Sequence, residues 1–213
     1  MNLSHVENEL KNVPWMRRNQ AETIREIFIE NKIKNVLELG FSYGVSTCYI
    51  ASILEELGCN GKITTIDRLC SKTKVPNLET NLKKLNLEKY VEFFYEERSY
   101  TWRLMKFLEE TPRRKFDFCY IDGAHSWDVD GFSFFLIDKL LKPGGIILFD
   151  DLNWTKAKSL EKRSICKSNL NIPEEELITA QVKKVFELLV KEHKDYHNFK
   201  IINTSWGFAQ KKL

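Results

Sequence analysis

The chain has 213 residues, of which 43% are hydrophobic and 30% are charged. This length and composition predict a single globular domain over residues 1–213 and argue against disorder. The net charge of +3 is too small to indicate nucleic-acid binding by itself. No apolar run reaches the roughly 18 residues of a membrane helix, and the N-terminus lacks the apolar stretch of a signal peptide. The five cysteines are odd in number and form no CxxC pair, which argues against a disulfide framework and favours a cytoplasmic protein.

Apolar periodicity predicts alternating helices and strands. The predicted helices cover residues 17–31, 45–57, 77–86, 101–110, 127–141 and 179–193, and the predicted strands cover 35–39, 62–67, 91–95, 116–122, 146–150, 199–203 and 206–209. This alternation indicates an α/β fold that is Rossmann-like and doubly wound, with a mostly parallel seven-stranded sheet and helices on both faces. Residues 1–30 are interpreted as an N-terminal helical extension. Ligands of such sheets bind beyond the carboxyl ends of the strands.

The segment after the first predicted strand, VLELGFSYGVST over residues 36–47, is typical of a ligand-binding turn. Gly40 permits a tight turn and close approach to the backbone, and Gly44 permits close packing at the start of a helix whose free N–H groups favour an anion. Ser42 stands where a dinucleotide fingerprint requires its second glycine. The turn therefore favours a smaller anion, such as an amino-acid carboxylate, over a nicotinamide dinucleotide. An ordinary strand–helix turn is the alternative.

This stretch resembles motif I of the class I S-adenosylmethionine-dependent methyltransferases. The resemblance implies S-adenosylmethionine as cofactor, with Asp67 at the end of the second strand on the ribose hydroxyls, for which two carboxylate oxygens are well suited. The cofactor contacts that we expect are Glu38, Gly40, Tyr43, Gly44, Ser46, Asp67, Ser99, Asp122 and Trp127. Several of these have structural alternatives. Asp67 taken alone is more often a solvated turn residue, a serine such as Ser46 often caps a helix, and a tryptophan such as Trp127 often packs in the core.

Three aspartates follow two neighbouring strands of the predicted sheet, within the pattern FDxxxIDGxHxW…LKPGGxxxxDD. They are Asp122, Asp150 and Asp151. Carboxylates held together repel one another unless a cation lies between them, and oxygen ligands suit Mg²⁺. The sequence therefore predicts a magnesium site. Capping of the next segment or solvation of a loop are the alternatives for Asp150 and Asp151.

The same pattern resembles the small O-methyltransferases that include macrocin-type sugar methyltransferases, with catechol and caffeoyl-CoA O-methyltransferases as more distant relatives. The resemblance covers residues 30–151 and implies transfer of a methyl group to a hydroxyl, with a metal on the three aspartates. A bound cation lowers the pKa of a coordinated hydroxyl. Asp122 and His125 are the candidate catalytic residues, since a histidine titrates near neutral pH and suits a general base. Alternatively, His125 caps the following helix or orients Asp122.

Residues 152–178 are predicted to form a variable substrate loop. This loop contains the basic residues Lys156, Lys158, Lys162, Arg163 and Lys167. Their positive charge favours an anionic acceptor, but such a run of charges is more commonly just exposed to solvent. We expect a small-molecule or sugar acceptor and a homodimer as one possible assembly. The alternative functions are a non-catalytic nucleotide-binding module of this fold and an N-methyltransferase of a macromolecule. The sequence Ile121-Asp122-Gly123-Ala124 argues against the latter, because such enzymes usually carry an Asn/Asp-Pro-Pro-Tyr-like run there.

Overall fold

The computed structural model describes residues 2–162 and 172–213, and these form one sheet with helices on both faces. The strands are β1 Asn35–Leu39, β2 Lys62–Arg68, β3 Val91–Glu96, β4 Phe116–Ile121, β5 Leu141–Phe149, β6 Tyr196–Ile202 and β7 Trp206–Lys211. The helices are α1 Leu3–Leu10, α2 Arg18–Asn31, α3 Val45–Leu57, α4 Leu78–Leu85, α5 Tyr100–Glu109, α6 Trp127–Leu140, α7 Lys156–Lys162, α8 Glu174–Ile178 and α9 Gln181–Val185.

The strand order is β3-β2-β1-β4-β5-β7-β6. Strands β1 to β5 are parallel, and β7 runs antiparallel to both of its neighbours. Because these strands are parallel, the carboxyl ends of β1, β2, β4 and β5 lie at one edge of the sheet. The strand order reverses between β1 and β4, and such sheets bind ligands at that point. The predicted seven-stranded, doubly wound fold is confirmed.

Two apolar layers fix this edge, one on each face of the sheet. On one face, the ring of Phe118 in β4 packs edge-on against Phe28 of α2, with 5.0 Å between the centroids. On the other face, Phe149 of β5 packs against Phe186 at 6.0 Å. All four rings are fully buried. Because interiors packed this closely resist displacement, the strand ends are held in fixed relative positions.

Several elements differ from the sequence-based expectation, among them the following three. Strand β5 begins at Leu141, because Leu141 pairs with Phe116 and carries the Pro-Gly-Gly segment into the strand. The helix predicted over 179–193 is the short helix α9 followed by a π-helical turn over 186–190. Helix α1 lies within the expected N-terminal helical extension but was not predicted as a separate helix, although its buried Leu3, Val6 and Leu10 follow helical spacing.

The predicted substrate loop contains helices α7 and α8. Arg163 and Lys167 of its basic run lie outside the described residues. No helix within residues 2–162 and 172–213 is long and apolar enough to cross a membrane.

Candidate active site

The glycine turn lies between β1 and α3, and its two glycines are needed for packing. Gly40 has a φ of +88°, and a Cβ there would lie 2.1 Å from the carbonyl oxygen of Asp122. Gly44 has a φ of +82°, and a Cβ there would lie 2.3 Å from Cδ1 of Leu78 in α4. Any other residue at Gly40 would displace the end of β4, and any other at Gly44 would push the Leu78 side chain of α4 aside. The expected close packing at Gly44 is therefore present, whereas the crowding at Gly40 comes from β4.

Asp67 lies beside this turn, near the end of β2. Its Oδ2 accepts the backbone N–H groups of Phe41 at 3.0 Å and Ser42 at 2.6 Å, and its Oδ1 accepts that of Arg68 at 2.6 Å. The side chain thus fixes the turn. A carboxylate offers about four lone-pair positions, so a ligand hydroxyl would share Asp67 with these donors.

Glu38 is buried directly behind the turn. The hydroxyls of Thr47 and Thr65 both donate to its Oε2, at 2.5 and 2.6 Å, and its Oε1 is buried with no partner among the described residues. Burial raises the pKa of Glu38 to about 7, although the hydroxyl groups around the carboxyl act in the opposite direction. Glu38 therefore joins β1 to α3 and β2. With both side chains buried, contacts of Glu38 and Ser46 with a cofactor stay predictions.

The other expected cofactor residues lie in three different settings. Tyr43 lies in the turn itself, with the Lys74 ammonium 4.6 Å from its ring centroid. Ser99 caps α5 by accepting the backbone N–H of Thr101 at 3.2 Å. Trp127 opens α6 and is 42% exposed, which is not the core packing that a tryptophan commonly adopts. The roles of these three side chains toward a cofactor stay predictions.

The ends of β4 and β5 bring two carboxylates and one imidazole together. Nε2 of His125 is 3.1 Å from Oδ2 of Asp151 and 3.6 Å from Oδ1 of Asp122. One ligand atom from each of the three lies within 4.8 Å of the others. Oxygen and imidazole nitrogen atoms at these separations fit a divalent cation. We call Asp122, His125 and Asp151 the Asp–His–Asp cluster.

Asp150 lies next to this cluster, but its carboxylate is already engaged. The hydroxyl of Tyr120 donates to Oδ2, and the backbone N–H of Asp151 donates to Oδ1 at 2.5 Å. Burial, followed by the charge of Asp122, raises the pKa of Asp150 above its ordinary value. The structure therefore places two of the three predicted metal ligands in the cluster, and the third beside it. Asp150 as a ligand stays a prediction.

His125 is held in one orientation by the loop after β4. Its Nδ1 lies 2.7 Å from the carbonyl oxygen of Gly123, so Nδ1–H donates there and Nε2 faces the two carboxylates. The Trp154 ring lies against it, with 4.8 Å between centroids. Burial lowers the pKa of His125, but the hydrogen bonds and charges of Asp122 and Asp151 outweigh it and raise the pKa to about 10. Without a cation between these groups, His125 keeps its proton at neutral pH, which disfavours the predicted role as a general base.

Two buried residues that the sequence analysis did not single out support this loop. The hydroxyl of Tyr100 accepts the backbone N–H of Ala124 and donates to Oδ1 of Asp130 at 3.2 Å. Oδ2 of Asp130 accepts the backbone N–H of Ser126 at 3.0 Å, and burial raises the pKa of Asp130 to about 6. An acidic residue in the first turn of a predicted helix was the available signal, because carboxylates are favoured near the free N–H groups there.

Comparisons with known proteins now identify the family. Residues 37–152, more than half of the chain, match the family model Methyltransf_24, a methyltransferase domain. The chain belongs to the class I S-adenosylmethionine-dependent methyltransferases. The resemblance inferred from the glycine turn and from the DGxH and Asp-Asp segments is thus confirmed. No curated protein sequence matches the chain.

Solved structures share the whole fold of this methyltransferase at low sequence identity. An O-methyltransferase from Bacillus cereus, in complex with S-adenosylhomocysteine, is 20% identical with a TM-score of 0.66 over 99% of this chain and 90% of that one. TomG, an O-methyltransferase of tomaymycin synthesis from Streptomyces achromogenes, in complex with S-adenosylmethionine, is 16% identical with a TM-score of 0.67 over 99% and 89%. The methyltransferase PaMTH1 from Podospora anserina, bound to S-adenosylhomocysteine, is 16% identical with a TM-score of 0.68 over 99% and 88%.

Proposed function

We propose that this methyltransferase transfers the methyl group of S-adenosylmethionine to a hydroxyl of a small molecule or sugar, with help from a divalent cation. The observation that carries the proposal is the Asp–His–Asp cluster at the carboxyl edge of the sheet, directly beside the glycine turn. Gly40 lies against the backbone of Asp122, so the turn and the cluster form one continuous site. O-methyltransferases among the solved structures of this fold support the choice of a hydroxyl as acceptor.

The glycine turn and Asp67 are the proposed cofactor site. Asp67 holds the turn through Phe41 and Ser42 and has the two oxygens that a ribose diol needs. The first N–H groups of α3 favour the carboxylate of a methionine moiety. The cofactor supplies a methyl carbon that its sulfonium already activates, so the protein mainly has to align the reacting groups and take up one proton.

The Asp–His–Asp cluster is the proposed cation site. Its carboxylates fit Mg²⁺, which the sequence analysis favoured, and a bound cation would lower the pKa of a nearby hydroxyl. Asp122 is the residue that we propose takes up the hydroxyl proton. The hydroxyl oxygen then bonds to the methyl carbon while the carbon–sulfur bond breaks, and the sulfur keeps the electron pair. Trp154 and Gly123 hold the His125 ring in place beside Asp122.

A cavity of about 430 Å³ next to Trp127 is the proposed acceptor pocket. It lies between α6, α8 and α9, two residues along the chain from His125, and its size suits a small molecule. Three carboxylates and one ammonium line it, those of Asp128, Glu175, Glu176 and Lys184. This balance disfavours an anionic group in the cavity, so the predicted anionic acceptor depends instead on the lysines of α7.

Calorimetric titration of the full chain with S-adenosylmethionine and S-adenosylhomocysteine tests the cofactor site. We expect Asp67→Asn to weaken both by about tenfold, because the amide replaces one acceptor oxygen by a donor. The matched control is Asp117→Asn, since Asp117 also accepts two backbone N–H groups, those of Lys34 and Asn35, at the opposite edge of the sheet. Equal affinity of Asp67→Asn and wild type would refute the ribose assignment, and no binding by wild type would refute the cofactor.

Formation of S-adenosylhomocysteine with a panel of phenols and sugars tests the transfer step. We expect turnover that EDTA abolishes and that Asp122→Ala lacks, while Asp122→Ala keeps its thermal unfolding transition. Turnover that resists EDTA would refute cation assistance. Cofactor binding without turnover of any acceptor would favour the non-catalytic module of the same fold.

A further inference from the structure

The Asp–His–Asp cluster contains a nitrogen donor that a magnesium site does not need. Nε2 of His125 points between the carboxylates of Asp122 and Asp151, at 3.6 and 3.1 Å. Asp150, the third carboxylate expected there, instead accepts from the Tyr120 hydroxyl and from the backbone of Asp151. The donor set facing one point therefore consists of one nitrogen and two carboxylate oxygens.

The separations match those of atoms that share one ion. Two ligands about 2.1 Å from an octahedral ion and at right angles to each other lie about 3 Å apart. At the tetrahedral angle, the same bond length separates them by about 3.4 Å. The two distances from Nε2, 3.1 Å and 3.6 Å, lie on either side of the tetrahedral value.

The remainder of the imidazole is arranged like that of a metal-bound histidine. Ligating histidines commonly donate their second N–H to a backbone carbonyl or carboxylate, which fixes the tautomer and the ring plane. Nδ1 of His125 makes this bond to Gly123 at 2.7 Å, and the Trp154 ring prevents the imidazole from turning away. The nitrogen lone pair of the neutral ring is then directed toward the carboxylates.

We propose that His125 Nε2 binds the cation together with Asp122 and Asp151, and that this nitrogen makes the site prefer a first-row transition-metal ion such as Mn²⁺ or Co²⁺ over Mg²⁺. The proposal rests on the cation site of the proposed function and names its metal class. Imidazole is a poor ligand for Mg²⁺, which prefers oxygen donors, whereas nitrogen donors raise the affinity for first-row transition metals. In this arrangement His125 is a ligand and not a base.

Calorimetric titrations with MnCl₂ and MgCl₂, joined to pulsed electron paramagnetic resonance of the Mn²⁺ complex, test the proposal on the full chain. We expect Mn²⁺ to bind at least about tenfold more tightly than Mg²⁺, with nitrogen modulation from one imidazole. His125→Asn should abolish the modulation and reduce the preference, because an amide oxygen replaces the nitrogen. His193→Asn is the matched control, since His193 lies far along the chain and packs on Phe134.

Asp150→Asn distinguishes this ligand set from the three-aspartate set. We expect it to keep the nitrogen modulation and most of the Mn²⁺ affinity. Loss of Mn²⁺ binding in Asp150→Asn, with no nitrogen modulation in wild type, would overturn the proposal, as would equal affinity for the two ions. Titration of the same samples with S-adenosylhomocysteine separates the two failures: cofactor binding without any metal binding overturns the ligand set and the cation assistance but leaves the S-adenosylmethionine site standing, whereas no cofactor binding overturns the proposed function as a whole.

Discussion

Replacement of Glu38 by glutamine tests how the buried carboxyl behind the glycine turn changes the free energy of unfolding with pH. Burial raises the pKa of Glu38 from 4.5 to about 7, so the folded chain binds this proton more tightly than the unfolded chain. The free energy of unfolding therefore falls as the pH rises from the unfolded pKa through the folded one. A shift of about 2.5 units corresponds to about 3 kcal/mol in total, of which about 2 kcal/mol falls above about pH 5.5.

The variant should remove this pH dependence while adding a constant penalty. Its amide oxygen can still accept from Thr47 and Thr65, but its N–H₂ takes the place of an oxygen that has no partner among the described residues. An unpaired buried donor costs about 1–3 kcal/mol at any pH. We therefore expect Glu38→Gln to have a lower free energy of unfolding than wild type near about pH 5.5. Near about pH 8.5 this difference in free energy should vanish or change sign.

Thermal unfolding followed by circular dichroism at the two pH values provides the assay. A change of about 2 kcal/mol should move the difference in Tm between variant and wild type by about 4–8 °C. The pKa values of Asp130, Asp150 and His125 are also raised, but these groups are common to both proteins and largely cancel in the difference. Exposed Glu88, replaced by glutamine, is the control. A difference in Tm that is the same at both pH values would refute the reasoning.

Three further predictions concern the loops around the site. Tyr100→Phe should lower Tm by about 4–8 °C, because the buried N–H of Ala124 and the buried Oδ1 of Asp130 lose their partner. The control Tyr95→Phe removes a partly exposed hydrogen bond to Glu79 and should lower Tm by less than about 2 °C. Gly40→Ala should cost about 3 kcal/mol or more in chemical denaturation, against about 1 kcal/mol for Gly58→Ala, which has positive φ but open space; equal costs would contradict the clash with β4. In EDTA, the His125 ring should remain protonated at about pH 8 by histidine NMR, and a ring titrating near neutrality would contradict the raised pKa.

The fold was predictable where local signals were strong. Residues 35–39 include three apolar residues and lead directly into a glycine, and the structure places β1 over the same residues. The start of β5 was not predictable in this way, because Pro143, Gly144 and Gly145 are typical of a turn. The pairing of Leu141 with Phe116 that extends the strand joins residues far apart in sequence. Periodicity reports a local preference, and such pairings override it.

The candidate site was predictable in position but not in orientation. Topology alone brings Asp122 and Asp151 to one edge, because parallel strands end together there. Which oxygen faces which partner depends on Tyr120, which engages Asp150, and on the left-handed backbone of His125 and Asp151, with φ of +55° and +56°. Non-glycine residues adopt this region rarely, so no pattern in the sequence indicates it. The sequence already linked His125 with Asp122, but the approach of its Nε2 to both Asp122 and Asp151 became visible only with the structure.

Gly40 shows why a motif residue can be identified correctly and explained incompletely. A glycine in this turn is commonly attributed to the approach of a ligand, but here the nearest obstacle to a side chain is the carbonyl oxygen of Asp122. The cofactor turn and the first residue of the cation site therefore share one packing contact. A larger residue at Gly40 should weaken binding of S-adenosylhomocysteine and of Mn²⁺ together, whereas Asp67→Asn should weaken only the former. Loss of one affinity alone in Gly40→Ala would separate the two halves of the site and contradict this coupling.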